Sequence, residues 1–276
     1  MGRSLRWWKC SGPSGATTEP AAARSLEMRP IFRVLTVLAL ALGLTGAAAA
    51  GEVKVAVAAN FAEPAREIAR IFERRTDHQV ILSFGSSGQF YAQIANGAPF
   101  GVFLSADAAR PLEAEAAGLA VRGSRFTYAV GRLVLFSRAP SVVDAEGRVL
   151  TTGRFDKLAI ADPKTAPYGL AAQQTMQRMG LEAALRPKLV QGASITQTFQ
   201  FVQSGAAELG FVALSQVADN AGGSRWLVPS RLHAPIVQQA VLLTAAKDHP
   251  AARAFLAFLG TPEARAVIRR FGYETP

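Results

Sequence analysis

The sequence predicts an α/β protein built of two doubly wound units. Three observations carry this. Short aliphatic runs alternate with segments of helical period from residue 51 onward, the alternation restarts beyond Tyr128, and no low-complexity linker separates the halves. The chain is therefore expected to pass between the units through strands. Half of the 276 residues are apolar and 18% are charged, enough to fill two cores in units of about a hundred residues each.

In the first unit Val53, Val55 and Val57 alternate as a strand does, and Pro64 is expected to open a helix. Its Ala65, Ile68, Ala69 and Phe72 recur at i, i+3, i+4 and i+7, one helical face. Val80-Ile81-Leu82 reads as a second strand, followed by a Gly/Ser turn and a helix carrying Phe90 and Ile94. Val102-Phe103-Leu104 is a third strand, ending at Ser105-Ala106-Asp107. The second unit starts with a strand at 133–136 and continues with a strand at 158–160 and a helix after Tyr168-Gly169. A helix at 197–204 and a strand at 209–212 follow. A last strand at 240–243 leads into a helix with Phe255, Phe258 and Leu259, and Pro262 opens the final helix at a position that suits its missing N–H. The expected division is 51–131 plus 235–276 as domain I and 132–234 as domain II.

Residues 1–50 read as a leader. From Met28 the order is Met28-Arg29-Pro30-Ile31-Phe32-Arg33, an apolar run over 34–46, then Ala47 to Ala50 and Gly51: the charged, apolar and small-residue parts of a cleavable signal peptide over 28–50. The apolar stretch is diluted by Ala and Gly and sits at the short end of the roughly 17 to 25 residues that span a bilayer, which favours cleavage near Ala49 or Ala50 over anchoring. Residues 1–27 read as an over-extended start, because a signal counted from Met1 exceeds the roughly 15 to 30 residues usual for one. A periplasmic location is expected. No cysteine lies near the cleavage point to carry a lipid.

The formal charge of +10 raises nucleic acid as a partner, but no basic run exceeds two residues (Arg74-Arg75, Arg269-Arg270) and none interleaves with aromatics. Without the leader the charge falls to +6. No nucleic-acid partner is expected. The single cysteine, Cys10, lies in the leader, so no disulfide, cysteine nucleophile or zinc cluster is available after it.

An enzyme needs a nucleophile with a base. His78, His233 and His249 each sit in a polar, turn-like neighbourhood and read as satisfied surface histidines. Gly85-Ser86-Ser87-Gly88 is one residue short of a nucleophile elbow and lacks a triad histidine. There is no Walker loop, no dinucleotide fingerprint and no metal spacing, and Asp107 and Asp162, which end strands, read as caps. No catalytic residue and no cofactor are expected.

Uncharged donors stand instead at strand-to-helix junctions: Ala59-Asn60, Ser86-Ser87, Pro167-Tyr168-Gly169 and Ser194-Ile195-Thr196. In open α/β sheets ligands sit beyond the carboxyl ends of strands, where free helix amides and the helix dipole favour an anion. Taken singly, Asn or Ser before a helix is an ordinary N-cap. Four junctions facing one another across two domains would cage a small dianion.

These residues resemble the periplasmic molybdate-binding proteins of ABC importers, within the type II periplasmic binding protein fold. The resemblance runs through Val55-Ala56-Val57-Ala58-Ala59-Asn60-Phe61, Ser83-Phe84-Gly85-Ser86-Ser87-Gly88, Gly97-Ala98-Pro99 and Phe103-Leu104-Ser105-Ala106-Asp107. It continues with Ala161-Asp162-Pro163, Pro167-Tyr168-Gly169, Leu209-Gly210-Phe211-Val212-Ala213-Leu214-Ser215 and Arg270-Phe271-Gly272-Tyr273. It implies a hinge and an interdomain cleft. It also implies a molybdate or tungstate site formed by Asn60 through side chain and amide, with Ala59, by the Ser87 hydroxyl and amide, by the Tyr168 amide and phenol, and by the Ile195 amide. No metal-ion ligand is implied, since the metal arrives inside the oxyanion. The implied partners are a membrane permease and its ATPase, with the binding protein a monomer. Two positions depart from the family: Ala213 stands where some members carry tyrosine, and Gly101 where an aspartate is common. The alternatives are a binding protein for another oxyanion such as sulfate, and an exported serine hydrolase.

Overall fold

A computed structural model describes residues 51–218 and 222–276, so the leader expected over 1–50 lies outside the described residues. Strands β1 (Glu52–Ala58), β2 (Gln79–Gly85), β3 (Val102–Ser105) and β4 (Phe126–Gly131) form the first sheet, together with β10 (Ile236–Leu242), in the order β2-β1-β3-β10-β4. Strands β5 (Leu133–Ser137), β6 (Leu158–Ala161), β7 (Leu189–Gly192), β8 (Leu209–Ala213) and β9 (Ser224–Leu227) form the second, in the order β7-β6-β8-β5-β9.

Both sheets are mixed rather than wholly parallel. β1 pairs in parallel with β2 and β3, and β6 with β7 and β8, but β10 runs antiparallel to β3 and β4, and β5 antiparallel to β8 and β9. The reason is topological. β5 and β10 are the strands by which the chain enters a lobe from the other lobe, so they begin at the edge where the βα strands end. The first crossing needs a single residue, Arg132, between β4 and β5, and the return runs through 228–235.

The helices are α1 (Ala62–Arg75), α2 (Ser87–Ala95), α3 (Ala109–Ala116), α4 (Val149–Thr152), α5 (Pro167–Arg178), α6 (Glu182–Leu185), α7 (Ile195–Ser204), α8 (Pro250–Leu259) and α9 (Pro262–Arg270). α1 starts two residues before Pro64, because a 3-10 turn over Ala59–Phe61 runs directly into it and proline is tolerated in a first turn. β4, β7 and β9 lack the continuous apolar pattern that marks their neighbours and are not anticipated by it. β10 begins at Ile236 rather than 240, and Gln238 and Gln239, at which the apolar pattern fails, flank a register shift against β4.

Each lobe has its own core. In the first, Val55, Val57, Phe61, Ile68, Phe72 and Phe255 are essentially solvent-free, and the Phe72 and Phe255 rings meet edge to face at 5.3 Å. Burying each such side chain contributes about 1.5–3 kcal/mol. In the second, Leu133, Leu135, Ile160, Tyr168, Met176 and Phe211 pack together, and Ala58, Ala59 and Ala106 of the first lobe join that cluster. Small residues therefore line the seam and let the lobes close.

The histidines differ from expectation: His78 and His233 are buried rather than on the surface. His78 stacks on Phe72 and its Nδ1 accepts the Gly51 N–H at 3.2 Å; His233 Nδ1 lies 2.7 Å from the Ala234 carbonyl. Each side chain is covered by its own partner. The partly buried His249 has an Nδ1 without one among the described residues.

Candidate functional site

Four helical N-termini meet where β1, β2, β6 and β7 end. The first four N–H groups of a helix have no partner within it, so local caps decide which remain available. At α2, Ser86 is the cap: its Oγ accepts the Gln89 N–H at 3.4 Å, and Gln89 Oε1 accepts the Ser86 N–H at 3.4 Å. This capping box leaves the next residue, Ser87, for other work. Its fully buried Oγ accepts the Ala106 N–H at 2.9 Å, which fixes the oxygen and leaves its proton to donate.

At α5, Pro167 takes the first position, where no N–H is needed, and no side chain caps the end. The Tyr168 amide follows it. Gly169 is required by close approach, since a Cβ there would lie 2.1 Å from the Ala161 carbonyl oxygen. At α7, Ser194 accepts the Gln197 N–H at 3.3 Å, so Ile195 presents its amide at the first helical position. The fourth contribution is the 3-10 turn with Ala59 and Asn60.

All five residues expected at the site, Ala59, Asn60, Ser87, Tyr168 and Ile195, line one cavity, together with Ala58, Gly85, Ser86, Ala106, Ala166 and Pro167. Among the described residues no charged side chain lines it. The space is small, about 10 Å³. A wider crevice of about 350 Å³ also borders Ala59 and Asn60, between Arg66, Phe84 and Phe271 of one lobe and Thr196, Phe199 and Gln216 of the other. Its walls are largely apolar, and the convergent helix ends belong to the smaller cavity.

The lobes are closed over this cavity. Gly88 N donates to the Thr165 carbonyl at 2.9 Å, Arg110 Nη2 to the Lys164 carbonyl at 3.0 Å, and Ser215 Oγ to the Asn60 carbonyl at 2.8 Å. A Cβ on Gly88 would meet Thr165 Cα at 3.0 Å, so glycine is what permits this approach. Asp107 and Asp162 act locally: Asp107 accepts the Arg110 N–H at 2.9 Å and pairs with its guanidinium at 2.7 Å, and Asp162 accepts the Lys164 N–H at 3.0 Å.

Behind the cavity lies a neutral network that the sequence patterns do not reveal. Asn60 Nδ2 donates to Gln238 Oε1 and to the Tyr273 hydroxyl, both at 2.9 Å, so its side-chain amide is held in this network. Tyr128 donates to the same Gln238 oxygen at 3.0 Å, Gln238 Nε2 donates to the Tyr168 hydroxyl at 3.2 Å, and Tyr273 donates to the Asn60 carbonyl at 2.7 Å. Burial is the largest cause raising all three phenols: Tyr128 and Tyr168 stand well above the usual tyrosine value, and Tyr273 is pushed up to about 12. They stay protonated. Tyr273 and Ser215 fall within sequence motifs of the resemblance but carry no visible role there, and a glutamine inside a strand gives no signal at all.

The two departures are also placed. Gly101 sits at the far end of β3, where a Cβ would meet Val53, Ala246 and Ala252 at 3.1–3.3 Å, so the packing leaves an aspartate no room without displacement. Ala213 closes β8, and its N–H donates to Gln216 Oε1 at 3.0 Å. The elbow-like Ser87 takes its hydrogen bond from the Ala106 N–H, while His78 and His249 lie near Gly51 and His233 Nδ1 lies against the Ala234 carbonyl.

Two α/β lobes closed on a small cavity of uncharged donors define a two-lobed solute-binding protein. The chain belongs to the bacterial extracellular solute-binding protein family, which it matches over residues 53–274. It is 56% identical over 240 residues to the molybdate-binding protein ModA of Rhodobacter capsulatus, covering 87% of this chain and 95% of that protein. It is 56% identical over 241 residues to ModA of Azotobacter vinelandii, covering 86% and 96%. A solved periplasmic molybdate-binding protein of Azotobacter vinelandii superposes with a TM-score of 0.79 at 42% identity, covering 81% of this chain and 99% of that one.

Proposed function

We propose that this protein captures molybdate outside the cytoplasm and delivers it to an ABC permease. The observation that carries the reading is the convergence of the four N-terminal junctions on one uncharged cavity, supported by relatives that are named for molybdate and match nearly their whole length. The site residues are the amides of Asn60, Ser87, Tyr168 and Ile195, the Ser87 hydroxyl and, next to Asn60, Ala59. Tungstate, of the same charge and shape, is a second ligand. The bodies that close on it are 51–131 with 235–276, and 132–234, hinged at Arg132 and the 228–235 return.

A dianion needs compensation, and neutral donors supply it. Each hydrogen bond to a charged group contributes roughly 1.5–3 kcal/mol, and the aligned helix dipoles add to it. About five to seven such donors outweigh desolvation and closure by the roughly 8 kcal/mol of a micromolar complex. Because the donors are fixed by helix ends, selectivity follows from size: sulfate, with shorter bonds to oxygen, would stretch the contacts and leave amides unpaired. Ligand-favoured closure creates the composite surface that a permease reads, with its ATPase supplying the energy, and the binding protein works as a periplasmic monomer freed from its signal peptide.

Isothermal titration of the protein purified from the periplasm after expression of the full chain tests this. One-to-one binding of molybdate at micromolar affinity or tighter is expected; no heat with molybdate or tungstate would remove the reading.

A further inference from the structure

We infer that Gln238 is a positioning residue for the oxyanion site, acting through Asn60 in one lobe and Tyr168 in the other; this rests on the oxyanion reading above. Gln238 touches neither the cavity nor the crevice beside it. It is fully buried on β10, where the register shift after it re-aims the side chain into the seam, as β-bulges do.

A primary amide offers an acceptor and a donor on one rigid plane, and Gln238 uses both in opposite directions. Oε1 takes Asn60 Nδ2 at 2.9 Å and the Tyr128 hydroxyl at 3.0 Å within its own lobe, while Nε2 reaches the Tyr168 hydroxyl of the other lobe at 3.2 Å. Asn60 and Tyr168 both line the anion cavity. One carboxamide thus sets the distance between two opposing donors.

The hinge is tied to the same group. Gly131 ends β4 one residue before the crossing, and a Cβ on it would lie 2.1 Å from the Tyr168 hydroxyl and 2.7 Å from Gln238 Nε2. The glycine leaves the space in which the two side chains meet. The network also fixes proton directions. With Nε2 donating to it, the Tyr168 oxygen turns its own proton onward, and the single Tyr273 proton goes to the Asn60 carbonyl at 2.7 Å, with Ser215 Oγ 2.9 Å from the same phenol oxygen. The titratable groups facing Gln238 are Tyr128, Tyr168 and Tyr273, all raised by burial, with Asp107 felt only by the Tyr128 hydroxyl among them. The wild-type network therefore carries no charge near neutral pH.

The test compares wild type, Gln238→Leu and Gln238→Glu, titrated with molybdate and with tungstate between about pH 5.5 and about pH 8.5. The leucine variant keeps the volume and loses all three bonds; it is expected to bind at least tenfold more weakly, with a wild-type circular dichroism spectrum. In the glutamate variant a neutral carboxyl can make the same three bonds, whereas a carboxylate cannot donate to Tyr168 and repels the ligand. Its binding should be near wild type at the acid end and fall at least tenfold toward the alkaline end, while wild type stays flat. A residue that only filled the core would not produce that profile. A flat profile for Gln238→Glu, or wild-type affinity for a folded Gln238→Leu, overturns the inference; should the leucine variant fail to fold, the glutamate profile decides alone. If wild type binds neither anion, the oxyanion reading falls and this inference with it, an outcome distinct from indifferent variants of a binding wild type.

Discussion

The two sides of the Asn60 turn are built from different material. Toward the cavity the groups are backbone amides and one hydroxyl at helical N-termini, with a side-chain cap just ahead of α2 and of α7 and none at α5. Away from it the groups are side chains, Gln238, Tyr128, Tyr168, Tyr273 and Ser215, brought together across separations such as 178 and 213 residues. The difference teaches a division of labour. Amides of a helix end cannot rotate away, so they suit a site that must discriminate by size. Side-chain amides and phenols can exchange partners, so they suit the part that must form and break as lobes move.

Substitutions on each side should separate these roles. The largest effect is expected at Gly169→Ala, whose added methyl has no room against the Ala161 carbonyl and displaces the helix end carrying the Tyr168 amide. Overpacking of this kind costs about 1–3 kcal/mol of stability, visible as a lowered Tm. Loss of one or two charged hydrogen bonds would weaken molybdate binding roughly a hundredfold by calorimetry. Ser87→Ala comes next: one hydroxyl donor is lost, affinity falls roughly tenfold or more, and the protein stays folded at a cost of about 1 kcal/mol for the Ala106 amide left without its acceptor. Unchanged affinity there would take Ser87 out of the site.

Tyr168→Phe addresses the far side of the comparison. The amide stays and only the phenol bonded to Gln238 goes, so a loss of a few fold is expected, smaller than at Ser87 and carried by faster release. A loss equal to that of Ser87→Ala would mean that the phenol itself holds the ligand. Because no carboxylate, histidine or low phenol among the described residues serves either side, wild-type affinity should be flat across the range in which the anion stays doubly charged. The smallest effect concerns stability and lies outside both sides, at His233 in the return between lobes. Burial lowers its pKa, so the unfolded chain binds the proton more readily than the folded one, and stability is lost as pH falls through the ordinary histidine value of about 6.5. His233→Asn should flatten the dependence of Tm on pH between about 7 and about 5.

The same contrast explains what was legible in the sequence. The junctions at Ala59-Asn60, Ser86-Ser87, Pro167-Tyr168-Gly169 and Ser194-Ile195-Thr196 were readable because a strand, a cap and a helix are local patterns, whereas the choice of Ala59, Asn60, Ser87, Tyr168 and Ile195 among them is what the family resemblance implies. Gln238 and Tyr273 were not readable, since their partners are fixed only when β10 and the chain end return to the first sheet. The reversed directions of β5 and β10 escaped for a related reason: hydrophobic alternation reports that a strand exists, not which end of a sheet it enters. His78 and His233 were misplaced because polar neighbours in sequence say little about what later packs over a ring, here Phe72 for His78.

The most direct test of the central claim is competition: molybdate titrated into the purified protein in the presence of a large excess of sulfate. A cage of fixed neutral donors predicts an unchanged molybdate affinity, with sulfate giving no heat alone. A molybdate affinity weakened by that sulfate would contradict selection by size.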